Sequence, residues 1–484
     1  MALDHRDYAT AKKELSENPS PWAKAILNKI DLVQQSHPRR VQIYLDYHQH
    51  KLIAGFPIGE LLLQFGATGA FEFVDDPRRL TPGQWFMPVW LGHSTRLFPG
   101  RGDYFWGDLL GSKALELLRE KEGHILFDYS YEPLRVVANN IEDFAALPQT
   151  LDALGLPKAH AVCVNANIRA AQVAKQLPST GRFHVASFDF AIYLYLGHCL
   201  KAFVATGEAE ERLERAKKAV HRRHKFLSFS NKNRSNRTAL FLALYGYGAL
   251  GESLVSFRGP AHDIRGRGHD EPPFREWPEP EREAAIHATQ ASMRRWKIDE
   301  ALVSKVQEAY DLTPLSLDTN FQLSTVGPST SKQLAFGDDP FWPYEDSYIG
   351  LMGNTVFSDA NCLFFTLNLS KGFFNFQPTI ITGDPFTLRR AKKFGFQTFA
   401  PYIDESYDEL DHAGARGRAV VAEVKRLSAM SLEEIHDIYW KLWPVLEHNH
   451  FHLINEMPKK FAASFDKNVT SVLRDIVKQA LVEA

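Results

Sequence analysis

The stretch Lys225-Phe-Leu-Ser-Phe-Ser-Asn-Lys-Asn-Arg-Ser-Asn-Arg237 reads as a strand, a polar loop and the start of a helix in immediate succession. Residues 225–230 are rich in aromatic and apolar side chains, 231–236 are polar, and Arg237–Tyr245 has helical composition. The loop carries Lys232, Asn233, Arg234 and Arg237 to the point where the helix opens. A helix N-terminus presents unpaired N–H groups and the positive end of the dipole, and guanidinium forks suit a diphosphate. In an open α/β sheet this is also the edge where ligands bind. A solvated basic turn is the alternative reading of the same residues.

Downstream, the alternation of strand and helix continues. Tyr348–Phe357 reads as a strand, and Gly372–Asn375 leads into the strand–turn Pro378-Thr-Ile-Ile-Thr-Gly383. A helix around Pro385–Phe394 and a strand over Gln397–Ala400 follow. Gly383 allows a close backbone approach and Pro385 suits a first helical turn, as in many α/β turns. In the acidic run Asp404-Glu-Ser-Tyr-Asp-Glu-Leu-Asp411, Asp404 or Ser406 fits an N-cap; the functional alternative sets Asp404 or Glu405 beside a sugar or ribose hydroxyl. Residues 431–446 and 458–482 have the 3.6-residue period of amphipathic helices.

Upstream, Val41–His48, His124–Ser130 and His160–Asn167 read as strands. Helical stretches at Lys113–Glu122, Pro148–Leu154 and Ile168–Gln176 separate them. Such alternation implies βαβ units and a largely parallel sheet. Asp46 and His48 end the first strand; Asp128 and Glu132 end the second. Carboxyl ends of parallel strands face the ligand crevice, so these four are candidate general bases, with capping as the bland alternative.

A chain of 484 residues exceeds what one core usually organises. The expected division is a helical arm over 1–36, an N-terminal Rossmann-like domain over 37–220, a C-terminal one over 221–445 and a helical segment over 446–484. The charged run Gly207–Arg223 marks the junction as a solvated helix. Residues 258–283, rich in Pro, Arg and Glu, read as an insertion loop or lid within a longer insertion of about 258–345.

Composition narrows the function classes. With 44% hydrophobic and 24% charged residues the chain is globular, and a net charge of -2 gives no global basic field for nucleic acid. Cys163, Cys199 and Cys362 stand far apart without metal spacing, which fits a reducing, cytoplasmic setting. The N-terminus lacks the apolar stretch of a secretory signal. The apolar segment 186–205 contains Asp189, His198 and Lys201, a poor membrane span. Gly246-Tyr-Gly-Ala-Leu-Gly251 matches GxGxxG but closes a helix instead of following a strand, so it lacks the dinucleotide context. No P-loop, HExxH, GxSxG or DxD sequence occurs.

Several C-terminal segments, taken in order, resemble a family of bacterial and phage glycosyltransferases of surface-polysaccharide synthesis. The residues are Lys225-Phe-Leu-Ser-Phe-Ser230 with Asn233, Arg234 and Arg237; Gln377-Pro378; Gly395-Phe-Gln-Thr-Phe399; Asp404-Glu-Ser-Tyr-Asp408; and His448-Asn449. Weaker matches are Ile125-Leu-Phe-Asp-Tyr-Ser-Tyr-Glu132 and Val164-Asn-Ala-Asn167. The resemblance implies an α/β fold with two Rossmann-like domains facing a cleft (GT-B-like). The C-terminal domain would hold a nucleoside-diphosphate-sugar donor and the N-terminal one a glycan acceptor. Donor-binding residues implied by it and by the loop reading are Lys232, Asn233, Arg234, Arg237, Lys371, Gly383, Asp404, Glu405 and Tyr407.

The family's TEKTxK run reads Thr366-Leu-Asn-Leu-Ser-Lys371 here: its glutamate is Leu367, its lysine is Asn368, and only Lys371 survives. An acidic residue expected about a dozen positions earlier is Asn354. In the family such groups touch the donor ribose or diphosphate. Their loss fits an altered donor, a diphosphate clamp relying on Arg234, Arg237 and Lys371, or a degenerate catalyst. The expected enzyme needs no metal or cofactor beyond its donor, because cationic side chains neutralise the leaving diphosphate. Competing readings are a glycosyltransferase acting on modified DNA bases and a non-catalytic scaffold.

Overall fold

The computed structural model describes residues 41–44, 71–74, 76–90, 110–129, 149–165, 167, 172, 181–188, 204, 206–218, 221–230, 234–260, 273–315, 341–354, 357 and 367–483. It contains two parallel sheets flanked by helices, an α/β architecture. They belong to two compact units: one runs to 194 and takes in 461–484, and the other is built mainly from 195–326 and 333–460.

In the first unit, β1 (Gln42–Tyr44), β2 (Glu72–Val74), β3 (Trp85–Trp90), β4 (His124–Tyr129), β5 (Ala161–Asn165) and β6 (Phe183–Ser187) form one sheet. Its order is β2-β1-β3-β4-β5-β6, and every pairing is parallel. Strands buried on both faces read as unbroken apolar runs; Ile125, Leu126 and Phe127 on β4 are each 0% exposed. Helix α1 (Ser112–Glu120) connects β3 to β4 and turns Ala114, Leu115 and Leu118 to the core. The chain leaves β1 toward β2 and then returns to β3 on the other side, so the β1/β3 boundary is a topological switch point. Phe461 and Phe465 of the C-terminal segment pack edge-on against Phe188.

The second unit repeats the plan. Strands β7 (His224–Ser230), β8 (Ser253–Phe257), β9 (Ser347–Gly353) and β10 (Thr379–Thr382) lie in the order β10-β9-β7-β8, all parallel. Its switch point lies between β7 and β9. Among the described residues, its helices of eight or more residues are α2 (Glu208–Lys218), α3 (Ser235–Gly246), α4 (Glu279–Arg295), α5 (Leu367–Phe374), α6 (Thr387–Phe394), α7 (Ala413–Ser428) and α8 (Leu432–Asn455). Helices α9 (Met457–Phe465) and α10 (Ser471–Glu483) complete the chain. From Ala239 to Leu244 every residue of α3 is buried, so this connection between β7 and β8 is a core helix.

Three sequence expectations are corrected. Gln397–Ala400 is not a strand, for a reason given below. The strand expected over Tyr348–Phe357 ends at Gly353. The region expected as loop over 258–283 contains, from 274 on, a helical turn and the start of α4. There Phe274 and Trp277 are buried, Phe274 packing against Tyr310, so this end is anchored in the core. Residues 1–36 and the expected helix Ile168–Gln176, apart from residue 172, lie outside the described residues. No helix among the described residues is long and apolar enough to cross a membrane.

Candidate anion site at the carboxyl edge of the second sheet

Strand β7 ends at Ser230, and α3 opens with Arg234 as its N-cap in extended conformation. The Arg234 side chain makes no capping hydrogen bond to the first turn of α3. The side chains of that turn instead tie strand ends together. Asn236 Nδ2 donates to Asn354 O at 3.1 Å, to Thr382 O at 2.9 Å and to Thr382 Oγ1 at 3.2 Å. Asn354 N donates to Thr382 O at 2.9 Å. Arg237 Nε donates to Gly353 O at 3.0 Å. The ends of β9 and β10 are thus locked to α3 beside the switch point.

Two glycines allow this close packing. A Cβ on Gly353 would stand 2.3 Å from Arg237 Cγ, and one on Gly383 would stand 2.3 Å from Asn354 Nδ2. Glycine 383 therefore sits where the sequence expects a close approach, although the group approaching it is a protein side chain.

The site is cationic. Burial first, and the charge of Arg234 second, pull the Arg237 pKa down to about 10. A further guanidinium, Arg416 on α7, is 1% exposed. It donates to Gly383 O at 3.0 Å, Leu410 O at 2.6 Å and Asp411 O at 2.7 Å, fixing the turn after β10. Sequence reading missed Arg416; its only signal was an arginine among small residues in Ala413-Gly-Ala-Arg-Gly417. Ser230 Oγ, Asn236 Oδ1 and both ends of the Asn354 amide are buried and have no hydrogen-bond partner among the described residues.

The other expected site residues divide. Asp46, His48, Glu132, Lys232 and Asn233 lie outside the described residues. Asp128 is on β4, 1% exposed, next to the strand's last residue. Lys371 is buried on α5, while Leu367 and Asn368 open that helix.

Asp404, Glu405 and Tyr407 fall into a second group with structural contacts. Asp404 Oδ1 accepts from Ser406 N at 2.9 Å, and a four-residue 3-10 turn, Ser406–Glu409, replaces the expected helix start. Glu405 Oε1 accepts from Phe399 N at 2.6 Å, and burial raises its pKa. Tyr407 is 3% exposed; its hydroxyl accepts from Ile381 N at 3.3 Å. The Asp408 carboxylate accepts from Leu388 N and Arg389 N, both at 2.9 Å, and so caps α6 from a distance in sequence. A cavity of about 540 Å³ here is lined by Arg389, Lys392, Asp404, Glu405, Ser406 and Arg426 among others.

The same region explains why Gln397–Ala400 does not pair as a strand. Asn449 Oδ1 accepts from Gln397 N and Asn449 Nδ2 donates to Gln397 O, both at 2.8 Å. His448 Nε2 lies 3.0 Å from Gly395 O. The segments Gly395–Phe399, Asp404–Asp408 and His448–Asn449 therefore bind one another. Among the described residues, no group of three or more His, Cys, Asp or Glu side chains is arranged to hold a metal ion.

No known family profile matches the chain, and no curated protein matches it. Among solved structures it is similar to a UDP-forming α,α-trehalose-phosphate synthase from Burkholderia xenovorans, with a TM-score of 0.36 and 13% identity, covering 99% of this chain and 86% of that one. It is also similar to an α,α-trehalose-phosphate synthase (UDP-forming) from Burkholderia vietnamiensis, with a TM-score of 0.36 and 10% identity, covering 96% and 85%. Likenesses this distant identify neither substrate nor reaction; the α/β assignment rests on the strand order of the two sheets.

Proposed function

We propose that the chain is a glycosyltransferase using a nucleoside-diphosphate-sugar donor, with the diphosphate seated at the N-terminus of α3. The observation that carries this reading is the pair Arg234 and Arg237 at the start of α3, where the N-cap side chain makes no capping bond, beside the β7/β9 switch point. Burial and mutual repulsion disfavour the charge on Arg237. A bound anion relieves the repulsion, and the first-turn N–H groups add to its binding.

In the reaction proposed, a hydroxyl of a glycan acceptor attacks the anomeric carbon and the nucleoside diphosphate departs. The charge growing on the leaving oxygen meets guanidinium and N–H groups already in place, which stabilises the transition state without a metal. The base is drawn from Asp46, His48, Asp128 and Glu132. Surface-polysaccharide synthesis as the setting rests on the resemblance of the sequence segments.

Thermal unfolding across a panel of nucleoside diphosphates and nucleotide sugars tests the proposal. A ligand at about 100 times its dissociation constant adds about 2.7 kcal/mol of stability. A shift selective for one diphosphate and its sugars supports a donor site. Flat responses across the panel, confirmed by calorimetry, contradict it and favour the non-catalytic reading.

A further inference from the structure

Ser230, Asn236 and Asn354 are 2%, 1% and 1% exposed, yet Ser230 Oγ, Asn236 Oδ1 and both polar ends of the Asn354 side chain find no partner among the described residues. Native interiors rarely leave such groups unsatisfied. Here they share one edge. Ser230 ends β7, Asn354 follows the last residue of the neighbouring β9, and Asn236 bonds the Asn354 carbonyl from the first turn of α3.

The chemistry of these atoms restricts what satisfies them. An ionised diphosphate beside Arg234 and Arg237 is an acceptor only. It accepts hydrogen bonds but donates none to Asn236 Oδ1 or Asn354 Oδ1. Those two buried acceptors require O–H or N–H groups. Adjacent ring hydroxyls fit an amide: one accepts from Nδ2 while its neighbour donates to Oδ1. Either orientation of the amide leaves the same one donor and one acceptor.

We infer that Asn354, supported by Asn236, is a specificity-determining residue that selects phosphate esters of a hydroxyl-bearing ring over free phosphate or pyrophosphate. This rests on the reading of Arg234 and Arg237 as the phosphate anchor. The neutrality of the amide belongs to the same device. A carboxylate at 354, one residue from the carbonyl that holds Arg237, competes with the ligand for that guanidinium.

The test is calorimetric titration of the wild type, Asn354→Ala and Asn354→Asp with inorganic pyrophosphate, with ADP, GDP and UDP, with their 2′-deoxy counterparts, and with UDP-glucose and GDP-glucose. Asn354→Ala is expected to bind pyrophosphate as the wild type does and the best nucleotide ligand at least about tenfold more weakly. If ribose supplies the hydroxyls, the 2′-deoxy compound is already weak on the wild type and insensitive to the substitution. If the transferred sugar supplies them, the loss is confined to the nucleotide sugar. Asn354→Asp weakens pyrophosphate as well. Equal losses for pyrophosphate and nucleotides with Asn354→Ala, or no loss for any nucleotide ligand, overturn the inference.

The melting temperature separates recognition from a structural role. Removing an unsatisfied buried amide leaves the ligand-free melting temperature unchanged or raises it, whereas a clear fall shows that Asn354 serves the fold and also overturns the inference. Failure of the anchor reading looks different: pyrophosphate binding is then indifferent to Arg237→Ala, whatever residue stands at 354.

Discussion

Asn449, on helix α8, satisfies both backbone polar groups of Gln397, accepting from its N–H and donating to its carbonyl at 2.8 Å each. One side-chain amide thereby does for Gln397 what a neighbouring strand would do, and Asn449 is itself 0% exposed. Asn449→Ala strands both groups. Gln397 is itself exposed, so water takes over part of the lost bonding; at about 0.5–1.5 kcal/mol for each hydrogen bond, a loss of about 1–3 kcal/mol is expected in denaturant unfolding. Pyrophosphate affinity of the folded variant stays unchanged. A stability change below about 1 kcal/mol would show that the bridge is dispensable.

Asp408 caps α6 through the N–H groups of Leu388 and Arg389. Asp408→Ala is expected to destabilise the protein by about 1–2 kcal/mol, the range of a lost cap. Asp408→Asn, which keeps one acceptor, recovers part of it. Hydrogen exchange locates the effect: faster exchange at 388–394 supports the cap, and unchanged exchange there argues against it.

A histidine ladder crosses the amino ends of β4, β5 and β6. His124 Nε2 donates to Gly83 O and its Nδ1 accepts from His160 N, both at 3.1 Å. His160 Nδ1 lies 3.0 Å from His184 Nε2. Burial, and next the neighbouring His160, lower the His124 pKa from 6.5 to about 4. Protonating Nδ1 would break the bond to His160 N. A base whose folded pKa is depressed contributes full stability above the unfolded value and loses it as pH falls from 6.5 toward 4. The expected loss from His124 is about 3 kcal/mol across that window. His124→Gln should flatten the curve of unfolding free energy against pH there; parallel curves for the two proteins would refute the assignment.

Gly353 faces Arg237 too closely for any side chain. Gly353→Ala displaces the guanidinium, and pyrophosphate binding is expected to weaken about tenfold in calorimetry. Near-wild-type affinity would mean that the position of Arg237 does not set binding.

Much of the fold is legible in the sequence because parallel strands buried on both faces are written as apolar runs, as in Ile125–Phe127 and Tyr348–Met352. The α3 start is legible for a related reason: strand, polar loop and helix follow each other directly, and the loop is basic. Gln397–Ala400 misleads because local apolar composition does not reveal that its hydrogen-bond partner is a side chain some fifty residues later. Arg416 and the Asn236–Asn354–Thr382 junction are invisible for the same reason; their partners come from separate elements. The acidic run at 404–408 looks chemical because carboxylates suggest ligands, whereas Asp404, Glu405 and Asp408 accept from backbone N–H groups.

The most direct test of the account is the affinity of wild-type protein and Arg237→Ala for the nucleoside diphosphate that best stabilises the wild type, measured by titration calorimetry. Loss of a charge-assisted contact of about 1.5–3 kcal/mol predicts at least about tenfold weaker binding by a variant that still folds. Equal affinity for the two proteins would remove Arg237 from the site and contradict the placement of the diphosphate at the start of α3.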